Sequence, residues 1–81
     1  MRVRVLLFAI VRDAAQTAEV EVEVPQTAVA GDAVKVVEQR FPQISKYLGR
    51  VAIAVNRRYA TAQTEIAEGD EIAVIPPVSG G

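Results

Sequence analysis

The residues of greatest chemical consequence are the last six: Pro76, Pro77, Val78, Ser79, Gly80 and Gly81. Each proline fixes its own φ near −65° and biases the residue before it towards extended geometry, so the spacer is expected to project the final four residues away from the body. Gly80 and Gly81 carry no β-carbon, and the expected end is a free carboxylate on the slimmest chain a polypeptide can offer. An α-carboxyl group ordinarily has a pKa of about 3.5, so at neutral pH it is ionised and a poor electrophile. Acyl chemistry at Gly81 would therefore need a partner that activates it. The competing reading of the same six residues is a frayed terminus, where glycine is common.

Elsewhere the chain is short of reactive side chains. It has no Cys and no His, which excludes thiol nucleophiles, disulfides, thiolate metal ligands and imidazole acid–base chemistry. Cysteine-held iron–sulfur clusters are excluded with them. Glu65, Glu68, Asp70 and Glu71 lie close to the tail in sequence, but with no His or Cys beside them they read as a solvated acidic turn and not as a metal site. Docking to a basic partner surface is their alternative use. A formal net charge of −1 argues against an electrostatic grip on nucleic acid or on anionic membrane.

The body that must position the tail is small. Eighty-one residues, 51% of them hydrophobic, form one domain, and a chain of this size buries only about 60% of the surface its unfolded form exposes. Residues 1–75 are assigned to the domain and 76–81 to the tail. Arg2, Arg4 and the apolar run to Val11 have the outline of a short signal peptide. Arg12 and Asp13 interrupt that run, no cleavage-type small residue stands at the right place after it, and the stretch is too short to cross a bilayer. A soluble, cytoplasmic domain is expected.

Along the chain, Arg2 to Ala9 reads as a strand with Val3, Val5 and Leu7 on one face. Leu6 and Phe8 make the far end of the other face apolar, as in a central strand covered on both sides. Arg12 to Thr17 reads as a connecting loop. Glu19 to Val24 alternates glutamate with valine, as in an antiparallel edge strand beside the first. From Thr27 the period becomes helical, with Ala30, Ala33, Val34, Val37 and Phe41 on one stripe anchored by Phe41; Thr27 or Asp32 would cap the start, and Pro42 sets the end. Gln43 to Arg50 reads as a loop with a short turn that tucks Ile44, Tyr47 and Leu48 under the sheet. Val51 to Val55 is a strand, Asn56 to Arg58 a turn, and Tyr59 to Thr61 a short return strand. A turn over Glu65 to Asp70, with Gly69 free to take positive φ, leads to the last strand, Glu71 to Ile75.

One helix covering one face of a mixed sheet is a two-layer α+β sandwich. With about five strands packed on one main helix, and the last strand beside the first, it would be the β-grasp, or ubiquitin-like, arrangement. Several stretches carry a more specific resemblance: Val5 to Ala9 followed by Arg12, Ala54-Val55-Asn56, Glu68-Gly69-Asp70-Glu71-Ile72, and the Pro-Pro-Val-Ser-Gly-Gly ending. Together they are similar to the MoaD-type sulfur carriers, the small subunits of molybdopterin synthase, over nearly the whole chain. Two departures stand out. Val34 and Val37 occupy helix positions where leucines are usual, and Arg57-Arg58 crowd a turn that usually carries smaller or less charged residues.

The resemblance implies that an E1-like adenylating enzyme uses ATP to activate the Gly81 carboxylate, and that a sulfur donor protein converts it to a thiocarboxylate. The sulfur would then pass, inside the large catalytic subunit of the synthase, to a cyclic pyranopterin precursor to build a dithiolene. The chain alone would catalyse nothing and bind no cofactor. Pro76 to Gly80 would thread the partner's channel, with Val78 and Ser79 pairing along its groove. Arg12, Tyr59, Val74 and Ile75 are the implied interface residues, with one of Val74 and Ile75 expected in the core because they point oppositely. Three other readings stay open at this point: a sulfur carrier for thiamine synthesis or tRNA thiolation, a ubiquitin-like modifier joined to lysines through Gly81, and a binding module whose tail is irrelevant.

Overall fold

A computed structural model describes residues 1–77; Val78, Ser79, Gly80 and Gly81, with every expectation placed on them, lie outside the described residues. Strand β1 (Arg2–Leu7) is followed by a short helix α1 (Ala9–Ala15), strand β2 (Glu19–Glu23), the main helix α2 (Ala30–Arg40) and a 3-10 segment (Pro42–Arg50). Strands β3 (Ala52–Val55), β4 (Arg58–Ala60) and β5 (Glu71–Ile75) complete one mixed sheet in the order β2-β1-β5-β3-β4. β1 runs antiparallel to β2 and parallel to β5, with Arg4 opposite Glu71 and Leu7 opposite Val74. The last strand thus lies beside the first, as the β-grasp arrangement requires.

Alternation along the strands assigns the two faces of the sheet. Val3, Val5 and Leu7 of β1, Val20 and Val22 of β2, and Ile72 and Val74 of β5 are buried together with Val11 and Ala15 of α1, Ala30, Ala33, Val34 and Val37 of α2, and Ile44 of the 3-10 segment. Both helices and the 3-10 segment therefore share one core on one side of the sheet. The opposite face carries Arg2 and Arg4 of β1 against Glu19 and Glu23 of β2, joined by ion pairs at 3.3 Å (Arg2–Glu23) and 3.7 Å (Arg4–Glu19). Such exposed pairs add little stability. Their consequence here is a charged, aggregation-resistant outer surface beside edge strand β2.

Four local expectations are corrected. Arg12 to Thr17 is not a loop: residues 9–15 form α1, whose buried face is only Val11 and Ala15, one turn apart. A two-residue stripe is too short to register as periodicity. The first strand accordingly ends at Leu7; Phe8 is the junction and Ala9 opens α1. The start of α2 is capped neither by Thr27 nor by Asp32 acting as the first residue; the Val29 N–H donates to Asp32 Oδ2 at 3.0 Å, so Asp32 works backwards from the third position, the acidic half of a capping box. Phe41 is only half-buried, and the anchoring role passes to Ile44, fully buried beneath the helix.

Gly69 takes φ +82° in the turn before β5 as expected, and Asn56 and Arg57 adopt φ of +50° and +70° in the two-residue β3–β4 turn. This turn matches the right-handed twist of a hairpin, and Asn suits it where Arg does not. Ile44 is the largest side chain that the 3-10 segment buries. Ile44→Ala should therefore lower unfolding stability by about 2–5 kcal/mol in urea titration, the usual range for opening a cavity in a packed core.

Candidate functional site

The tail begins where β5 leaves the sheet, and the parallel pairing fixes its neighbours. Val74 lies opposite Leu7 on one side, and Ile75 lies opposite Ala52 on the other. Pro76 is buried and Pro77 exposed, so the first proline of the spacer belongs to the packed body. Beside this exit the chain turns sharply from β1 into α1. Ala9 holds φ +51°, a left-handed conformation that costs an alanine roughly 1–2 kcal/mol. The amides of Val11 and Arg12 both donate to the Phe8 carbonyl, at 3.2 and 3.3 Å. The strained turn leaves Phe8 and Ile10, 41% and 47% exposed, on either side of it.

Each of these two side chains walls a separate depression. The first, about 400 Å³, lies on the outer sheet face between Leu6, Phe8, Ala73 and Ile75, with Ala54 and Tyr59 across it. Tyr59 is 83% exposed. Its charged end is neutralised internally, because Glu71 lies 3.6 Å from Arg4 and 3.9 Å from Arg57. The second depression, about 450 Å³, lies between α1 and the end of the 3-10 segment and is lined by Ile10, Lys46, Tyr47, Arg50, Pro76 and Pro77. The tail root thus stands between a bare apolar patch and a cation-bearing pocket. Phe8, Ile10 and Tyr59 are the exposed large hydrophobic residues found among the described residues.

The structure sorts the expected interface residues. Tyr59 and Ile75 share the outer patch. Val74 has no exposed surface and packs in the core with Val3 and Ile72, so it is corrected to a core residue; it faces the helices while Ile75 faces outward. Arg12 is exposed on α1, 3.7 Å from Asp13, and lines neither depression. Leu6 and Phe8 are the additions. Their apolar character on the arginine face of β1 was legible, but the expectation of cover on both sides is wrong: both helices and the 3-10 segment pack on the other face. Ile10, Lys46 and Arg50 gave no signal, because only the fold brings the end of the 3-10 segment to the tail.

The acidic cluster does not stand at the tail. Glu71 opens β5 and Ile75 closes it, and four residue steps at ~3.3 Å put the turn at the opposite end of the strand. Two of its carboxylates, those of Asp70 and Glu68, are occupied in holding the turn. Asp70 accepts from the Ala67 N–H at 2.7 Å and from Asn56 Nδ2 at 3.0 Å, and the Glu71 N–H donates back to Asn56 Oδ1 at 3.0 Å. Glu68 accepts the Arg2 N–H at 3.0 Å. Among the described residues no group of three His, Cys, Asp or Glu side chains is placed to hold a metal ion, and no helix is long and apolar enough to cross a membrane. Asp70→Ala should cost about 1–2 kcal/mol by removing a cap-like contact and a side-chain hydrogen bond. Thermal melts would record that loss as a lowered midpoint.

Comparison with known proteins agrees with this architecture. The chain is 39% identical to a molybdopterin synthase sulfur carrier subunit of Mycobacterium tuberculosis, covering 100% of this chain and 99% of that one. Its fold superposes on the crystal structure of SAMP1, a small archaeal modifier protein of Haloferax volcanii, with a TM-score of 0.92 at 30% identity over the full length of both chains. A putative molybdopterin converting factor subunit 1 of Pyrococcus furiosus gives a TM-score of 0.85 at 31% identity, covering 96% of this chain and 99% of that one. The ThiS family matches residues 5–81, from the second half of β1 to the final glycine. With its ubiquitin-like sheet and Gly-Gly ending, the chain belongs to the ThiS family.

Proposed function

We propose that this protein is the sulfur-carrier subunit of a molybdopterin synthase. The observation that carries the reading is the bare apolar patch of Leu6, Phe8, Tyr59 and Ile75, which runs to the root of a Pro-Pro-Val-Ser-Gly-Gly tail. The M. tuberculosis relative bearing that name supports it. An ionised carboxylate is a poor electrophile until it is activated, and so the chemistry is assigned to partners. An adenylating enzyme joins a Gly81 carboxylate oxygen to the α-phosphorus of ATP, and pyrophosphate leaves. A sulfide equivalent from a sulfur donor protein then attacks the acyl carbon, the bond to AMP breaks, and Gly81 carries a thiocarboxylate.

The thiocarboxylate next enters the catalytic subunit, where its sulfur bonds to a carbon of a pyranopterin precursor in place of an oxygen, and water then cleaves the Gly81 carbon–sulfur bond to leave the sulfur on the precursor and a carboxylate on Gly81. Gly80 and Gly81 provide clearance for two different active sites, since a β-carbon at either would widen the chain. Misplacing the reacting atom by an ångström costs roughly 100-fold in rate, and this demands a body that docks in one orientation. The apolar patch supplies that docking, with Phe8 and Tyr59 as aromatic anchors of the kind that dominate interface energetics. ATP is a substrate of the activating enzyme, and this chain holds no cofactor of its own.

The likeness to SAMP1 favours one second reading, a protein modifier joined through Gly81 to lysines. It predicts Gly81–lysine linkages in tryptic digests of cell extract, which a dedicated sulfur carrier does not form. The first reading is tested by ATP–pyrophosphate exchange. The cognate adenylating enzyme should exchange label only when the full chain is present. Deleting Gly81 or appending a C-terminal tag should abolish exchange while leaving the melting temperature within a degree or so, given that chain ends contribute little to stability. Exchange that persists without Gly81 would overturn the assignment. Phe8→Asp should weaken binding to the catalytic subunit by at least ~30-fold, the equivalent of losing a hot spot worth about 2 kcal/mol, as read by calorimetric titration.

A further inference from the structure

The backbone ladders of the sheet give out at the tail root. On the β1 side the pairing of β5 ends with Val74 opposite Leu7, because the first strand stops there, and on the β3 side it ends with Ile75 opposite Ala52. Pro76, the next residue, has no N–H to extend either ladder. It is nevertheless buried. Continuing the alternation of β5 places it on the face of Ile72 and Val74, the face on which the helices pack. There it lines the depression between α1 and the 3-10 segment together with Ile10, Tyr47 and Pro77. Ile10 and Tyr47 both stand on segments that are pinned close by: Val11, next to Ile10, and Ile44, three residues before Tyr47, have no exposed surface. Tyr47 is itself partly buried against the core, and the Lys46 ammonium, 5.3 Å from its ring centroid, restrains the ring further.

We propose that Ile10 and Tyr47 are positioning residues for the acyl chemistry at Gly81: they brace Pro76 from α1 and the 3-10 segment and so fix the direction in which the chain leaves β5. The assignment rests on the sulfur-carrier reading. The ring of Pro76 sets its own φ, so the direction of exit depends on how that ring is seated, and no N–H of its own helps to seat it. Side-chain packing takes over where the ladder stops. Gly81 is five residues beyond Pro76, a reach of up to ~17 Å, so once a partner grips the body a tilt of about 10° at the root carries the point of arrival about 3 Å aside. Activation and sulfur transfer use the same tail, and both reactions depend on the same seat. The outer patch sets how tightly the body is held; the seat of Pro76 sets where the carboxylate arrives.

The test separates arrival from affinity, using full-length chain and the cognate adenylating enzyme in ATP–pyrophosphate exchange over a range of carrier concentrations. The double variant Ile10→Ala, Tyr47→Ala should lose about tenfold or more in exchange at saturating carrier, since displacing a reacting atom by an ångström costs roughly 100-fold. Its KM for carrier should stay within about twofold of wild type, as expected when binding is untouched. Tyr47→Phe, which keeps the ring, should hold the wild-type rate. Phe41→Ala removes a half-buried aromatic that lines neither depression; it should lower the melting temperature yet leave saturated exchange unchanged, which separates positioning from general destabilisation. Prepared as the preformed thiocarboxylate and mixed with the catalytic subunit, the double variant should be slowed in single-turnover sulfur transfer by about tenfold or more as well. Saturated exchange at the wild-type level in the double variant would overturn the proposal, and so would a loss carried by KM alone or an equal loss in Phe41→Ala. A wild type that supports no exchange at all would overturn the sulfur-carrier reading, and the proposal with it.

Discussion

The backbone ladder between Arg4–Leu7 and Glu71–Val74 decides what stands beside the tail, because a parallel pair brings two C-terminal strand ends to the same edge of the sheet. One of those ends runs into the tail and the other into the turn at Ala9. The tail root is therefore bordered by Phe8 and Ile10, and never by the acidic turn, which the same ladder holds at the far end. Hydrophobic burial enforces the register. Val3, Val5 and Leu7 and their β5 neighbours Ile72 and Val74 all face the helices, so a one-residue slip would turn each of them to solvent.

Local devices then sharpen what the ladder sets. Pro76 is buried, so the chain leaves the body as part of a packed structure and not from a loose end. Ala9 accepts a left-handed conformation in order to turn the chain within one residue. Strain of this size persists only where surrounding structure holds it, and such positions gather at functional sites. At the other end of β5, Asn56 and Asp70 fasten the hairpin turn to the acidic turn through reciprocal hydrogen bonds. Of the four carboxylates there, those of Asp70 and Glu68 hold the turn, and that of Glu71 faces Arg4 and Arg57.

Much of this is legible in the sequence, for identifiable reasons. Strands β1 and β2 declare themselves by alternation, β3 and β5 as apolar runs, β4 by the turn that precedes it, α2 by its stripe of Ala30, Ala33, Val34 and Val37, and the tail by composition. What escapes are features with short or non-local signals. Helix α1 buries two residues only, a pattern indistinguishable from a polar loop. Val74 is misassigned to the interface because alternation shows that it and Ile75 point oppositely without showing which way either points. Leu6 and Phe8 are legible as apolar, yet whether the chain covers them depends on which side its helices pack. Lys46 and Arg50 reach the tail only through the path of the 3-10 segment, which no local pattern encodes.

The central claim is that the body aims one carboxylate and partners transform it. Intact mass spectrometry of the full chain, incubated with ATP, the cognate adenylating enzyme and a sulfide source, tests it most directly. The account predicts a mass increase equal to the replacement of one oxygen by sulfur, localised to the C-terminal peptide and absent when ATP is omitted or Gly81 is deleted. A chain whose mass stays unchanged while the same enzyme remains active on an established carrier, or one that gains sulfur at a residue other than Gly81, would contradict it.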